Sequence, residues 1–203
     1  MTSPTRTRAT LTLEAFLGMP GIDESPSTEF IDGRGVRKMA PQKKHSLLTA
    51  FFVGVLNDLA IPSGLGEAFP ELRCTYAGRS IVPDVVYLRE EHVEVEADGS
   101  LGDETPRPPD IHIIEIISSE QGITEADEKL RHSTAHGCSL GWLVHPYRGS
   151  IRVDRPDEPP IDLDSDGVLE GDPVLPRFRM TVAEVFNDWM TRRRNRPTGG
   201  DPS

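Results

Sequence analysis

The run Ile111-His112-Ile113-Ile114-Glu115-Ile116-Ile117 constrains the fold more than any other stretch of the chain. β-Branched residues fill it without polar alternation, the pattern of a strand covered on both faces, and such strands lie at the centre of sheets flanked by helices. Further strands are predicted over residues 72–76, 80–88, 140–145 and 151–155. The first two are joined by Ala77-Gly78-Arg79, which is too short for anything but an antiparallel pair, and Pro83 is tolerated in the second at an edge or bulge. Asp32-Gly33-Arg34-Gly35 between residues 29–31 and 36–39 is a hairpin signal.

Helices are predicted where apolar residues recur every three or four positions. The first covers residues 11–17 with Thr10 or Thr12 as N-cap. The second carries Leu48, Phe51, Phe52, Val55 and Leu59 and is stopped by Pro62. A third starts at a Thr124/Asp127 capping box and ends at Gly137. The last starts at Thr181 with Glu184 and carries Val182, Val185, Phe186 and Trp189. The order predicts a mixed sheet flanked by helices, in the α/β or α+β class.

The 203 residues suit one domain, expected over 11–190, with disordered tails at 1–10 and 191–203. No apolar run reaches the roughly 18 residues of a membrane span, and no apolar segment follows Arg6 and Arg8, so no membrane association is expected and the cytoplasm is the expected location. Cys74 and Cys138 are then expected as thiols, Cys138 as a buried apolar residue. The net charge of −11 disfavours tight non-specific binding to DNA. Residues 90–110 hold eight acids against Arg107 alone and read as a solvated loop.

Two acids stand among apolar strand residues: Asp84 after Ile81-Val82-Pro83, and Glu115. If their strands are neighbours the carboxylates lie about 5 Å apart, where like charges repel by about 3 kcal/mol at an effective dielectric of about 20. A proton or a cation must then be present, and Mg²⁺, held by one or two carboxylates plus water and phosphate, is the natural choice. The alternative is that Asp84 caps a bulge and Glu115 pairs with a buried arginine or lysine.

The ordered set Glu29-Phe30-Ile31-Asp32-Gly33, His45 at the head of a long helix, Pro83-Asp84, Ile113-Ile114-Glu115-Ile116-Ile117-Ser118-Ser119, Lys129, the segment from Gly137 to Pro146 and Leu175-Pro176-Arg177-Phe178-Arg179-Met180 resembles the Uma-type putative restriction endonuclease family of the PD-(D/E)XK nuclease superfamily. The resemblance implies a restriction-endonuclease-like core and a metal-dependent endonuclease acting on nucleic acid, DNA foremost, with Asp84 and Glu115 as ligands of Mg²⁺ or Mn²⁺. Ile117 stands where the wider superfamily has its lysine, and the resemblance transfers that role to Lys129 on the following helix. Glu29 corresponds to the family's early acid, an accessory to the site. His45 reads as an ordinary first-turn residue, with contact to a substrate phosphate as the alternative. Cutting both strands needs two sites, so a homodimer is compatible with this reading.

The surroundings depart from the family pattern: Ser133, Leu140, Gly141 and His145 replace an aromatic, an acid, a tyrosine and an acid. That motivates a second reading, a binding or regulatory protein on a nuclease scaffold. His132 and His136 have zinc-helix spacing without the intervening glutamate and read as exposed helix-end residues. Ser118 and Ser119 read as turn or capping residues, and Arg192, Arg193, Arg194 and Arg196 as a phosphate-contacting arm or a solubilising tail.

Overall fold

The computed structural model describes residues 11–40, 42–115 and 120–191, without the side chains of residues 115, 120, 121 and 188–191. Both tails, Ser118, Ser119 and the arginine cluster at 192–196 lie outside the described residues. Helix α1 (Leu13–Leu17) is capped by Thr12, whose Oγ1 accepts from Ala15 N–H at 3.1 Å. Strands β1 (Thr28–Ile31) and β2 (Arg34–Arg37) form the expected hairpin. Its turn residues Asp32 and Gly33 both take positive φ, 49° and 76°, as a two-residue hairpin of this twist requires.

Helix α2 (Lys43–Ser63) outruns the sequence expectation at both ends. Pro62 lies inside its last turn, where only one backbone hydrogen bond is forfeited, and the stop is Gly64 in the left-handed conformation at φ 62°. By length and composition alone α2 could cross a membrane, which corrects the expectation that no segment reaches that length. Its apolar face is instead turned to the fold, packing on β3 (Gly66–Pro70), β6 (Val85–Arg89) and β8 (Ile111–Glu115).

The strand expected over residues 80–88 is two strands in two sheets. After β4 (Arg73–Tyr76), β5 (Arg79–Ile81) returns antiparallel in a five-stranded sheet of order β2-β1-β5-β4-β7, where β7 is Glu104–Thr105. Val82-Pro83-Asp84 then turn the corner, and β6 enters a second sheet. That sheet has six strands in the order β11-β10-β9-β8-β6-β3, with β9 at Leu140–His145, β10 at Ser150–Asp154 and β11 at Ile161–Leu163. β8 is central, antiparallel to β6 and parallel to β9. A two-stranded ribbon, β12 (Val168–Glu170) and β13 (Arg179–Thr181), leads into α4 (Val182–Thr191). Thr181 and Glu184 form the expected capping box: Thr181 N–H donates to Glu184 Oε2 at 2.7 Å and Glu184 N–H donates to Thr181 Oγ1 at 3.1 Å.

Helix α3 (Glu120–Ala135) starts before the Thr124/Asp127 signal; Asp127 is an interior residue paired with Arg131 and Arg152. The acidic stretch 90–110 is only partly a solvated loop, because Thr105 and Asp110 are buried and Asp110 accepts from Arg89 N–H at 2.9 Å. Both cysteines are buried thiols.

One face of the second sheet packs Val85, Tyr87, Ile111, Ile113 and Trp142 against α2 and α4. The other packs Leu143 against Ala126 and Leu130 of α3. The approach of α3 is close: a Cβ on Gly141 would stand 2.6 Å from Leu130 Cγ. Gly141→Ala is therefore expected to destabilise by about 1–3 kcal/mol through overpacking. Gly54→Ala, on the exposed face of α2 with nothing within 4 Å, should stabilise by up to about 1 kcal/mol. Urea unfolding of both variants checks this pair of opposite signs.

Candidate active site

The two sheets meet at Val82-Pro83-Asp84, and two carboxylates are buried there. Glu29 on β1 is 1% exposed; its Oε1 accepts Val82 N–H at 2.9 Å and its Oε2 accepts from Lys129 Nζ on α3. Asp84, the last residue before β6, accepts from Lys38 Nζ at Oδ1 (3.0 Å). The same ammonium donates to Val82 C=O at 2.8 Å and lies 3.8 Å from Glu71 Oε1. The Val82 peptide is thus held on its N–H by one member of the site and on its C=O by another. Burial of either acid without a cation would be strongly unfavourable, and each has one.

Val85 pairs with Ile113, so Asp84 and Glu115 lie at the same end of the neighbouring strands β6 and β8. The adjacency expected from the sequence is present; the Glu115 side chain is outside the described residues. His45, in the first turn of α2, is buried with Nε2 3.7 Å from Asp84 Oδ1. It faces the site, which corrects its reading as an ordinary first-turn residue. Glu29, Lys38, His45, Asp84, His112 and Lys129 line one open cleft of about 200 Å³.

Lys38 and His112 were not anticipated. Lys38 sits in a run of cations that resembles a solvated edge, and only its long-range contact with Asp84 distinguishes it. His112 stands in the same β-branched run as Glu115, and a second polar residue in such a strand was the available signal. It is fully buried, with Nδ1 2.7 Å from Ser133 Oγ. Ser133 donates to Lys129 C=O at 3.1 Å and meets the Tyr76 hydroxyl at 2.6 Å. With the serine proton on that carbonyl, Ser133 Oγ accepts from both Tyr76 and His112 Nδ1–H, so α3 is tied to both sheets beneath Lys129.

Burial opposes the Lys38 ammonium, but the charge and hydrogen bond of Asp84, with Glu29 and Glu71 behind, outweigh it and raise its pKa. Burial, reinforced by the charge of Lys129, pushes the His112 imidazole down to about 3. His132 stacks on Tyr76 at 5.4 Å and against His136 at 4.3 Å, so this helix pair is engaged in ring packing. His136 is exposed, whereas His132 is half-buried, and burial with Arg79 lowers its pKa to about 4.

The donor chemistry at Asp84 suits a hard divalent cation: a buried carboxylate in a solvent-open cleft, with the glutamate-bearing end of β8 beside it. No group of three His, Cys, Asp or Glu able to hold a metal occurs among the described residues, a set that excludes the Glu115 side chain.

The fold is mixed α+β, and at the junction of its two larger sheets two buried carboxylates converge with two lysines. A crystal structure from Anabaena variabilis, described as a "putative nuclease", matches with a TM-score of 0.81 at 28% identity, covering 89% of this chain and 99% of that one. The Uma2 family, described as "Putative restriction endonuclease", matches residues 13–183, and the chain belongs to this family. No curated protein matches.

Two stability outcomes follow from the geometry. Glu29→Ala strands the buried Val82 N–H, while Lys129, whose side chain is 22% exposed, can turn to water; a loss of about 1–3 kcal/mol in urea unfolding is expected. The folded state keeps His112 neutral and the unfolded chain protonates it below its ordinary pKa of 6.5, so stability is full above that pH and falls on acidification. The advantage of wild type over His112→Gln should shrink by about 2 kcal/mol between pH 7 and pH 5, measured by urea unfolding at both.

Proposed function

We propose that this protein is a metal-dependent endonuclease hydrolysing phosphodiester bonds of nucleic acid, DNA foremost, with Asp84 and Glu115 holding Mg²⁺ or Mn²⁺. The observation that supports it most is the convergence of Asp84, Glu29 and Lys129 in one cleft, at the shared end of β6 and β8, in a chain of this family. A divalent ion bound there would neutralise phosphate charge and acidify a bound water. Lys129 stabilises negative charge developing on the phosphate or orients the attacking water. Glu29 is a positioning residue: it holds the Lys129 ammonium and, through Val82 N–H, the corner that carries Asp84. His45 supplies a donor beside Asp84 for a substrate phosphate oxygen. A homodimer would bring two such sites to a duplex.

One observation favours the second reading. The Lys38 ammonium on Asp84 Oδ1 already compensates the carboxylate, as a non-catalytic binding or regulatory protein would require. Incubation of plasmid, single-stranded DNA and RNA with Mg²⁺ or Mn²⁺ separates the two. The enzyme reading expects internal cleavage that falls to background in Asp84→Asn and Glu115→Gln and by about 100-fold or more in Lys129→Ala. Absence of cleavage on all three substrates, or cleavage indifferent to Asp84→Asn, favours the second reading.

A further inference from the structure

Five of the chain's 22 lysines and arginines fall between residues 34 and 44, with no acid among them. In a chain of net charge −11 this is a local inversion of sign. Arg34 and Arg37 lie on the exposed edge strand β2, Lys43 and Lys44 on the first turn of α2, and Arg37, Lys38 and His45 line the cleft. Several cations elsewhere are held by acids, as in Arg73–Asp23 at 2.7 Å, Arg79–Asp32 at 2.8 Å and Arg152–Asp162 at 2.9 Å, and those that are not, such as Arg107 and Arg177, are scattered along the sequence. Among the described residues no acid holds Arg34, Arg37, Lys43 or Lys44, and all four are exposed. Four exposed like charges within eleven residues of sequence, without counter-charges, suit a surface that receives a polyanion.

An aromatic ring stands beside them. Tyr147, in the turn between β9 and β10, is 58% exposed, and the Lys44 ammonium lies 4.4 Å from its ring centroid. Val36 and Met39 are also exposed along the same segment. Cations that track a phosphate backbone, combined with an exposed aromatic ring and apolar neighbours, match the requirements of unpaired bases. The positive surface is also bordered by acids on one side. It ends where Lys38 meets Glu71 at 3.8 Å, and the adjoining depression is lined by Glu71, Asp23, Asp103 and Glu104. A duplex has a second phosphate backbone to accommodate near those acids; a single strand needs only the cationic side.

We infer that the segment from β2 to the first turn of α2, with Tyr147, docks single-stranded or locally unpaired nucleic acid and leads it into the cleft. This rests on the nuclease reading of the cleft and narrows its substrate class. The test is fluorescence anisotropy of a labelled oligothymidylate and of a duplex of equal length, both in EDTA, so that binding is read without hydrolysis. Wild type is expected to bind the single strand about fivefold or more tightly than the duplex. Replacing Arg34, Arg37, Lys43 and Lys44 with glutamine should weaken binding and flatten the slope of log K against log salt by about 3, at about 0.7 per lost phosphate contact. Tyr147→Ala should weaken the single strand about fivefold or more and leave the duplex unchanged.

No measurable binding, equal or tighter binding of duplex, or an unchanged salt slope in the glutamine variant overturns the inference. All five side chains are exposed, and an unchanged urea midpoint confirms that the variants are folded. Strand binding of the expected kind without metal-dependent cleavage refutes the hydrolytic reading alone. Cleavage that needs Asp84 while the salt slope ignores the four cations refutes this one alone.

Discussion

Two carboxylates buried at one corner of the backbone, each matched by an ammonium from a distant element, are what the rest of the structure depends on. Glu29 reaches Lys129 across 100 positions of sequence, and Asp84 reaches Lys38 across 46. The first pair fastens α3 to the β1–β2 hairpin, and the second fastens the end of that hairpin to the start of β6. Because both acids or their partners also grip Val82, the corner between the sheets and the mouth of the cleft are one object. Separating any member leaves a buried charge or peptide group without compensation, which is why the pairs persist in a cleft open to water.

The same arrangement explains how a strongly acidic chain can offer a site to an anion. Within the cleft the carboxylates of Glu29 and Asp84 face the ammonium groups of Lys129 and Lys38, so the local charge is near balance although the chain as a whole carries −11. A phosphate approaching from the β2–α2 side meets cations first. Under the proposed metal-dependent reading, a divalent ion at Asp84 would share that carboxylate with Lys38 or shift it, and Lys38 would then set how readily the metal is taken up. His112, kept neutral by burial, adds no positive charge to this balance and serves through its link to Ser133 to seat the helix carrying Lys129.

Features decided by local chemistry were legible in the sequence. The Asp32-Gly33 turn, the Thr181–Glu184 capping box, the strands at β9 and β10 and the buried character of β8 each rest on a few adjacent residues, and each is present. Features decided by tertiary packing were not. Residues 80–88 have strand propensity on both sides of Pro83-Asp84, which read as a bulge within one strand, but two sheets claim one side each. β3, where no strand is predicted, begins at Gly66 and ends at Pro70, and its edge position accepts both. In the site, Asp84 is singled out by its apolar setting as well as by the family pattern, Glu29 and Lys129 by the family pattern alone, and one cleft brings the three together. Lys38 was hidden because its role is a contact made 46 positions away, and His112 because its partner Ser133 lies 21 positions away on another element.

Calorimetric titration of Mn²⁺ into wild type, Asp84→Asn and Glu115→Gln tests the central claim most directly, since it needs no choice of substrate. The account predicts saturable binding to the folded wild type and its loss in both variants. Folded wild type that takes up no Mn²⁺ at millimolar concentration, or binding that survives both substitutions, would contradict it.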